Sequence, residues 1–189
     1  EYAPISKIEA TERYGAEVLL YGEDYDEAQD RAHEIEREEG LTYIHAFNDE
    51  RVIAGQGTIG LEIVEDCPTV ETVVVPIGGG GLIAGIATAV TELTDARIVG
   101  VQAEGADSVA ESLAKGRLHR RDSVDTIADG IATRSVGEIP FEIIRERVDE
   151  VVTVSDSQIA VALTRLLERS KTLAEGAGAV PVAAVMFER

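Results

Sequence analysis

Apolar positions along the chain switch between a helical and an alternating rhythm. The stretch from Pro4 to Tyr14 spaces its apolar residues as a helix does, with proline at the first turn, and Gly15 ends it. Ala16–Tyr21 and Thr42–Phe47 are short apolar runs of strand type. Between them Asp24 opens a second helix, with Glu27 three residues on completing a capping box. Tyr25, Ala28, Ala32 and Ile35 fall on one face of that helix, and Gly40 stops it. Residues 1–47 therefore predict helix, strand, helix, strand.

From residue 48 the pattern becomes bolder. Arg51–Glu65 predicts a helix that tolerates Gly55, Gly57 and Gly60, each costing about 1 kcal/mol relative to alanine. Such residues make sense where another element packs closely. Thr72–Ile77 and Arg97–Ala103 are β-branched runs suited to strands buried on both faces. Between them Leu82–Leu93 carries an apolar stripe of Ile83, Ile86, Ala87, Val90 and Leu93. Ser108 with Glu111 predicts a capping box for a helix ending near Gly116. Residues 117–139 are polar and dotted with glycine, the pattern of a long functional loop. Helix Pro140–Val148, strand Glu150–Val154 and a helix capped by Ser155 and Gln158 follow; its face is Ile159, Leu163, Leu166 and Leu167. Gly176–Phe187 is a last, alanine-rich helix. Strands and helices alternating in this way predict an α/β fold with parallel sheets flanked by helices.

Charge narrows the partners. Acidic residues number 36 against 17 basic ones, a formal charge of -19. Such a surface repels nucleic acid and anionic membranes, so neither is an expected partner. Only Lys7, Lys115 and Lys171 are lysines; strong acidity with few lysines points to a high-salt cytoplasm, where counterions screen self-repulsion. The single Cys67 excludes an internal disulfide, and no apolar run has membrane-spanning length, so a cytoplasmic protein is expected. The chain opens at Glu1 without methionine and ends at Arg189 straight after a helical pattern, and both ends read as cuts.

The sharpest chemical feature is Val73-Val74-Val75-Pro76-Ile77-Gly78-Gly79-Gly80-Gly81-Leu82. A buried strand runs into four glycines and a helix starts at once. Glycine lets backbone amides approach an anion with no Cβ in the way, and the helix start adds partial positive charge. Together they predict a phosphate cradle needing no lysine or arginine. Gly79, Gly81 and Ala84 also fit the G-x-G-x-x-A form of a dinucleotide turn, with Glu104 at the end of the next strand where a ribose-binding acid belongs. On these residues a nicotinamide-binding oxidoreductase and a non-catalytic binding module stay open.

Other motifs carry a family resemblance. The run Val52-Ile53-Ala54-Gly55-Gln56-Gly57-Thr58-Ile59-Gly60-Leu61-Glu62-Ile63 resembles the central helix of fold-type II pyridoxal-phosphate enzymes, more narrowly threonine dehydratase and serine racemase. Val75–Gly85 resembles that family's phosphate loop. Ala10-Thr11 to Val18, Thr126-Ile127-Ala128-Asp129-Gly130 and Glu175-Gly176-Ala177-Gly178-Ala179 resemble further family motifs, in family order and spacing. The resemblance covers essentially all 189 residues.

It implies a tryptophan synthase β-like fold of two domains, the first incomplete: residues 1–47 as the tail of the smaller domain and 48–189 as most of the larger. It implies pyridoxal 5'-phosphate as cofactor, bound through Gly78, Gly79, Gly80, Gly81 and Leu82. Phe47, after His45, would pack near the ring, Gly130 would lie beside the cofactor through its backbone, and Glu175 would sit near the pyridine edge. Glu104 matches an acid that joins a divalent-cation site in related enzymes, although Ala110 stands where a second carboxylate is expected. The implied activity of the intact enzyme is α,β-elimination from L-threonine, and L-serine, giving a 2-oxo acid and ammonia, in a homo-oligomer; serine racemase and threonine synthase share the loop. None of the three lysines has the family's Ser-Phe-Lys context, so the lysine that carries the cofactor is expected upstream of Glu1, and this chain alone is expected to be inactive.

Overall fold

A computed structural model describes residues 3–187. The chain divides into two compact units, residues 1–44 and 45–189. The second unit begins at His45 and so includes Phe47, which packs against its glycine loop.

The first unit holds two helices, α1 (Ile5–Arg13) and α2 (Tyr25–Glu39). Asp24 caps α2 by accepting from the Glu27 amide at 3.1 Å, and Gly40 closes it in the left-handed conformation. The Glu27 carboxylate turns instead to the Glu23 amide, so the predicted box is only half made. The two predicted strands do not form. Leu19, Leu20 and Tyr21 are exposed, as is Ile44, and no strand partner pairs with either run among the described residues. A strand is stabilised by its neighbour's hydrogen bonds and side chains, and an apolar run without one does not form a strand.

The second unit is built on three parallel strands, β1 (Thr72–Pro76), β2 (Arg97–Ala103) and β3 (Glu150–Val154), in the order β1-β2-β3. Helices α3 (Glu50–Asp66), α4 (Gly81–Leu93), α5 (Ser108–Lys115), α6 (Glu138–Arg147), α7 (Asp156–Arg165) and α8 (Gly176–Phe187) surround them. Strand alternation splits the core into two layers. Val73 and Val75 face one way with Ile83, Ile86, Val90, Phe141 and Ile144 of α4 and α6. Val74 and Val152 face the other, with Ile159, Ala162, Val180 and Ala183 of α7 and α8. Ile98 on central β2 is fully buried, and truncating it to alanine removes a side chain whose burial is worth about 2–5 kcal/mol.

Close approach explains the glycines of α3. A methyl on Gly57 would lie 3.3 Å from the Gly85 carbonyl, and one on Gly60 would lie 2.8 Å from Ala89 Cβ. A methyl on Gly85 would drive into Ile53 O and sit 2.5 Å from Gly57 N. Helices α3 and α4 thus meet backbone to backbone.

Two predicted details are corrected. Ser108 is not a cap: it is the first helical residue of α5 and is fully buried. The buried Gln102 side chain caps that helix instead, its Oε1 accepting from the Val109 and Ala110 amides, each at 3.0 Å. Leu167 is exposed rather than core-facing, because the chain after α7 widens into a π-helical turn over Leu166–Ser170 and shifts the register. No helix of the described residues is long and apolar enough to cross a membrane.

Candidate active site: a glycine cradle at the start of α4

The carboxyl end of β1 delivers the chain into Gly78–Gly81. Ile77 stays tied to the sheet, its amide donating to the Val101 carbonyl at 2.8 Å. Gly80 has φ 92°, a left-handed backbone that side chains disfavour, and it turns the chain directly into α4. Each glycine is pressed from behind. A methyl on Gly78 would lie 2.9 Å from the Ile131 Cα, one on Gly79 would enter the Phe47 ring, one on Gly80 would lie 2.7 Å from Pro140 Cβ, and one on Gly81 would lie 2.9 Å from Phe47 Cβ. The loop is therefore clamped between the Phe47 segment, the 130–137 segment and the start of α6.

What the clamp leaves uncommitted is a row of donors. The amides of Gly78, Gly79, Gly80, Gly81 and Leu82 donate to no acceptor among the described residues. Four other helix starts of this unit differ. Asp49 caps α3, with Oδ1 accepting from Arg51 N at 2.8 Å, and Ser155 with Gln158 forms a full capping box on α7. Gln102 caps α5, and the Asn48 side chain caps α6 by accepting from Ile139 N at 3.0 Å. Only backbone precedes α4, and no residue from Thr72 to Leu93 is basic. Five bare amides at a helix start fit a phosphate dianion, which needs donors and partial positive charge and fills them without a side-chain cation.

The other predicted residues converge on the same place. The His45 Nδ1 accepts from the amides of Phe47 (3.2 Å) and Asn48 (3.0 Å), and the two rings meet edge to face at 4.6 Å. That fixes the Phe47 ring against the loop. Gly130 lies in a short 3-10 turn, Asp129–Ile131, whose Ile131 backs Gly78. A methyl on Gly130 would lie 4.0 Å from Glu175 Oε2 and 3.0 Å from Ala177 Cβ, so Gly130 and Glu175 are neighbours. Glu104 lies apart in this respect. It opens a 3-10 turn at the end of β2, exposed to solvent, and no group of three or more His, Cys, Asp or Glu suited to a metal occurs among the described residues.

Sequence reasoning missed the residues that hold the cradle together. Asn48 reaches from one side to cap α6. Gly137 donates to the Gly79 carbonyl at 3.0 Å. Asp156 ties the Thr126–Ala128 motif to α7, accepting from Thr126 Oγ1 at 2.6 Å and Ile127 N at 3.1 Å. Asn48 and Asp156 act through polar side chains and Gly137 through its backbone, and each has its partner tens of residues away, where no local pattern points.

The family model described as pyridoxal-phosphate dependent enzyme matches residues 1–189. The L-threonine ammonia-lyase of Thermotoga maritima is 50% identical over 98% of the chain and 46% of its own length. Threonine deaminase isoform 2 of Solanum lycopersicum matches with a TM-score of 0.90 and 40% identity, over 96% of this chain and 50% of that one. Maize serine racemase matches with a TM-score of 0.92 and 34% identity, over 99% of this chain and 57% of that one. The chain spans about half the length of the curated relatives it matches. A match along the whole chain, on a cradle with the donors for a phosphate, decides between the open cofactor readings: this chain belongs to the pyridoxal-phosphate dependent enzymes.

Proposed function

We propose that the whole protein is a threonine ammonia-lyase, converting L-threonine to 2-oxobutanoate and ammonia and acting on L-serine as a second substrate. The observation that carries this reading is the 50% identity to an L-threonine ammonia-lyase over nearly the entire chain. In it, the amides of Gly78, Gly79, Gly80, Gly81 and Leu82 hold the cofactor phosphate. The Phe47 ring, pinned by His45, forms a wall that excludes water, Gly130 lies beside the cofactor through its backbone, and Glu175 faces its edge. When bound, the cofactor supplies the electron sink for the carbanion left at Cα when the α-proton is removed. The proton is moved by a lysine that we place outside these 189 residues. Lys115 is ion-paired with Glu111, Lys171 Nζ donates to the Glu168 carbonyl at 2.8 Å, and Lys7 lies exposed on α1, so each is a surface residue. Loss of the β-hydroxyl as water and hydrolysis of the resulting enamine balance the reaction. The reading carries with it a cytoplasmic homo-oligomer.

Serine racemase is the second reading, favoured by the structural likeness to the maize enzyme. Full-length protein with pyridoxal 5'-phosphate should release 2-oxobutanoate from L-threonine, while the 189-residue chain alone should not. Accumulation of D-serine from L-serine with no 2-oxobutanoate from threonine would overturn the lyase reading in favour of the racemase.

A further inference from the structure

Asn48 makes contacts on two sides of one turn. Its Oδ1 accepts from the Ile139 amide at 3.0 Å, across a sequence separation of 91 residues. Its side chain also fills the space over Gly137, where a methyl would lie 2.8 Å from Asn48 Cβ and Oδ1. Gly137 in turn donates its amide to the Gly79 carbonyl at 3.0 Å. Across a trans peptide the carbonyl and the next amide point in opposite directions. Holding the Gly79 carbonyl toward Gly137 therefore aims the Gly80 amide away from that turn, on the side the clamp leaves uncommitted. The next peptide is held separately, its Gly80 carbonyl accepting from Ala84 N at 3.0 Å.

We propose that Asn48 is a positioning residue for phosphate binding: by seating the Gly137–Ile139 turn against the glycine loop, its carboxamide sets the direction of the Gly80 amide. The inference rests on the reading of the loop as the cofactor's phosphate cradle. It does not follow from the Asp49 cap next door, which serves α3. Asn48 acts on the donor's orientation and touches no reacting atom. Its loss is therefore felt by ligands that carry the phosphate and not by those that lack it.

The test compares pyridoxal 5'-phosphate with pyridoxal, which has the same ring and no phosphate, titrated into the full-length protein and followed by absorbance. Asn48→Leu keeps the side-chain bulk and removes the acceptor. It should weaken pyridoxal 5'-phosphate about 10-fold, equivalent to about 1.4 kcal/mol, and leave pyridoxal within about 2-fold of wild type. Equal weakening of both ligands would mean general damage to the fold, and no weakening of either would mean an idle contact; both results overturn the proposal. A wild-type protein that does not prefer the phosphorylated ligand overturns the cradle reading itself, a separate outcome. Should circular dichroism show Asn48→Leu unfolded, Ile139→Pro removes the same hydrogen bond from the donor side, in a first helical turn where proline is tolerated. It should show the same selective loss, and its absence sinks the proposal equally.

Discussion

The two units treat the same kind of apolar run in opposite ways. In residues 45–189, β-branched runs become three paired strands with Val75, Ile98 and Val101 at 2% exposure or less. In residues 1–44, Leu19 and Leu20 form no strand and are 61% and 50% exposed, and among the described residues of that unit only Asp26 is buried. Both have strand composition; only one has neighbours. A strand pattern records what a segment can pair with, and the fold depends on whether the partner is present. Charge differs in the same direction. The first unit has 13 acidic and four basic residues, net -9 in 44 positions, leaving -10 for the other 145.

The strongest way to break the comparison is at the α3–α4 seam. Gly85→Val forces a side chain onto the Ile53 carbonyl and the Gly57 amide, both backbone atoms that cannot swing aside. The expected cost is more than about 3 kcal/mol, seen as a large drop in melting temperature or loss of soluble protein. Gly55→Ala, on the partner helix α3 with nothing within 4 Å, should instead stabilise by up to about 1 kcal/mol. Leu20→Ser in the first unit should shift stability by less than about 0.5 kcal/mol. If Leu20→Ser were as damaging as Gly85→Val, the exposed run would have a partner after all.

Next in size is the cradle. Gly79→Ala sends a methyl into the Phe47 ring, displacing either the wall or the loop. Cofactor affinity should fall at least about 100-fold, or about 2.8 kcal/mol. Combining it with Phe47→Ala should restore part of that loss, with a coupling of about 1–3 kcal/mol in a double-mutant cycle. Purely additive losses would show that the two residues do not compete for the same space. Gly80→Ala should also be costly, because a methyl there meets Pro140 and the backbone has φ 92°.

Much of this was legible in the sequence. β2, β3 and α8 match the predicted bounds because their patterns are continuous and their ends are marked. The glycine turn was legible because four consecutive glycines stand between a buried strand and a helix. The caps by Gln102 and Asn48 were not, since each is a contact between a polar side chain and a helix start that local sequence does not link. The Ser108 cap failed for the complementary reason: the local motif was present, and burial put a different residue in its role.

A smaller effect sharpens the charge contrast. Helix α2 ends with Glu36, Glu38 and Glu39 near its C-terminus, where negative charge opposes the helix dipole. Potassium chloride at 1 M shortens the screening length to about 3 Å and should relieve that repulsion. Amide hydrogen exchange measured across a salt series should slow more in α2 than in α4, which has a single acidic residue, Glu92. A uniform response, or destabilisation by salt, would remove both the contrast and the high-salt reading of the composition.

The smallest expected effect is a pH dependence at the entrance to the second unit. Asp49 caps α3, and its carboxyl is held down to about 2, first by the hydrogen bond from the Arg51 side chain and then by the Arg51 and Val52 amides. An unfolded aspartate titrates near 3.9. Because the folded value is the lower one, the unfolded chain binds the proton first as pH falls. The cap's contribution is therefore complete above about pH 4 and is lost progressively as pH drops toward 2. Asp49→Asn keeps an acceptor for the helix amides but has no charge for Arg51 and nothing to titrate. The wild type should melt slightly higher than Asp49→Asn at pH 6, and the gap should close between pH 4 and 2. The gap is kept small by solvent, since this carboxylate is not deeply buried and its ion pair is screened. In the first unit, Glu36 is also held below the usual carboxylate range, chiefly by its hydrogen bond with His33, and it accepts from Tyr43 N at 3.3 Å. Glu36→Gln should therefore show a gap of the same sign that likewise closes on acidification, read locally by exchange of the Tyr43 amide. If the Asp49 gap stayed constant down to pH 2, the charge on Asp49 would contribute nothing, and α3 would be held by the α4 seam alone.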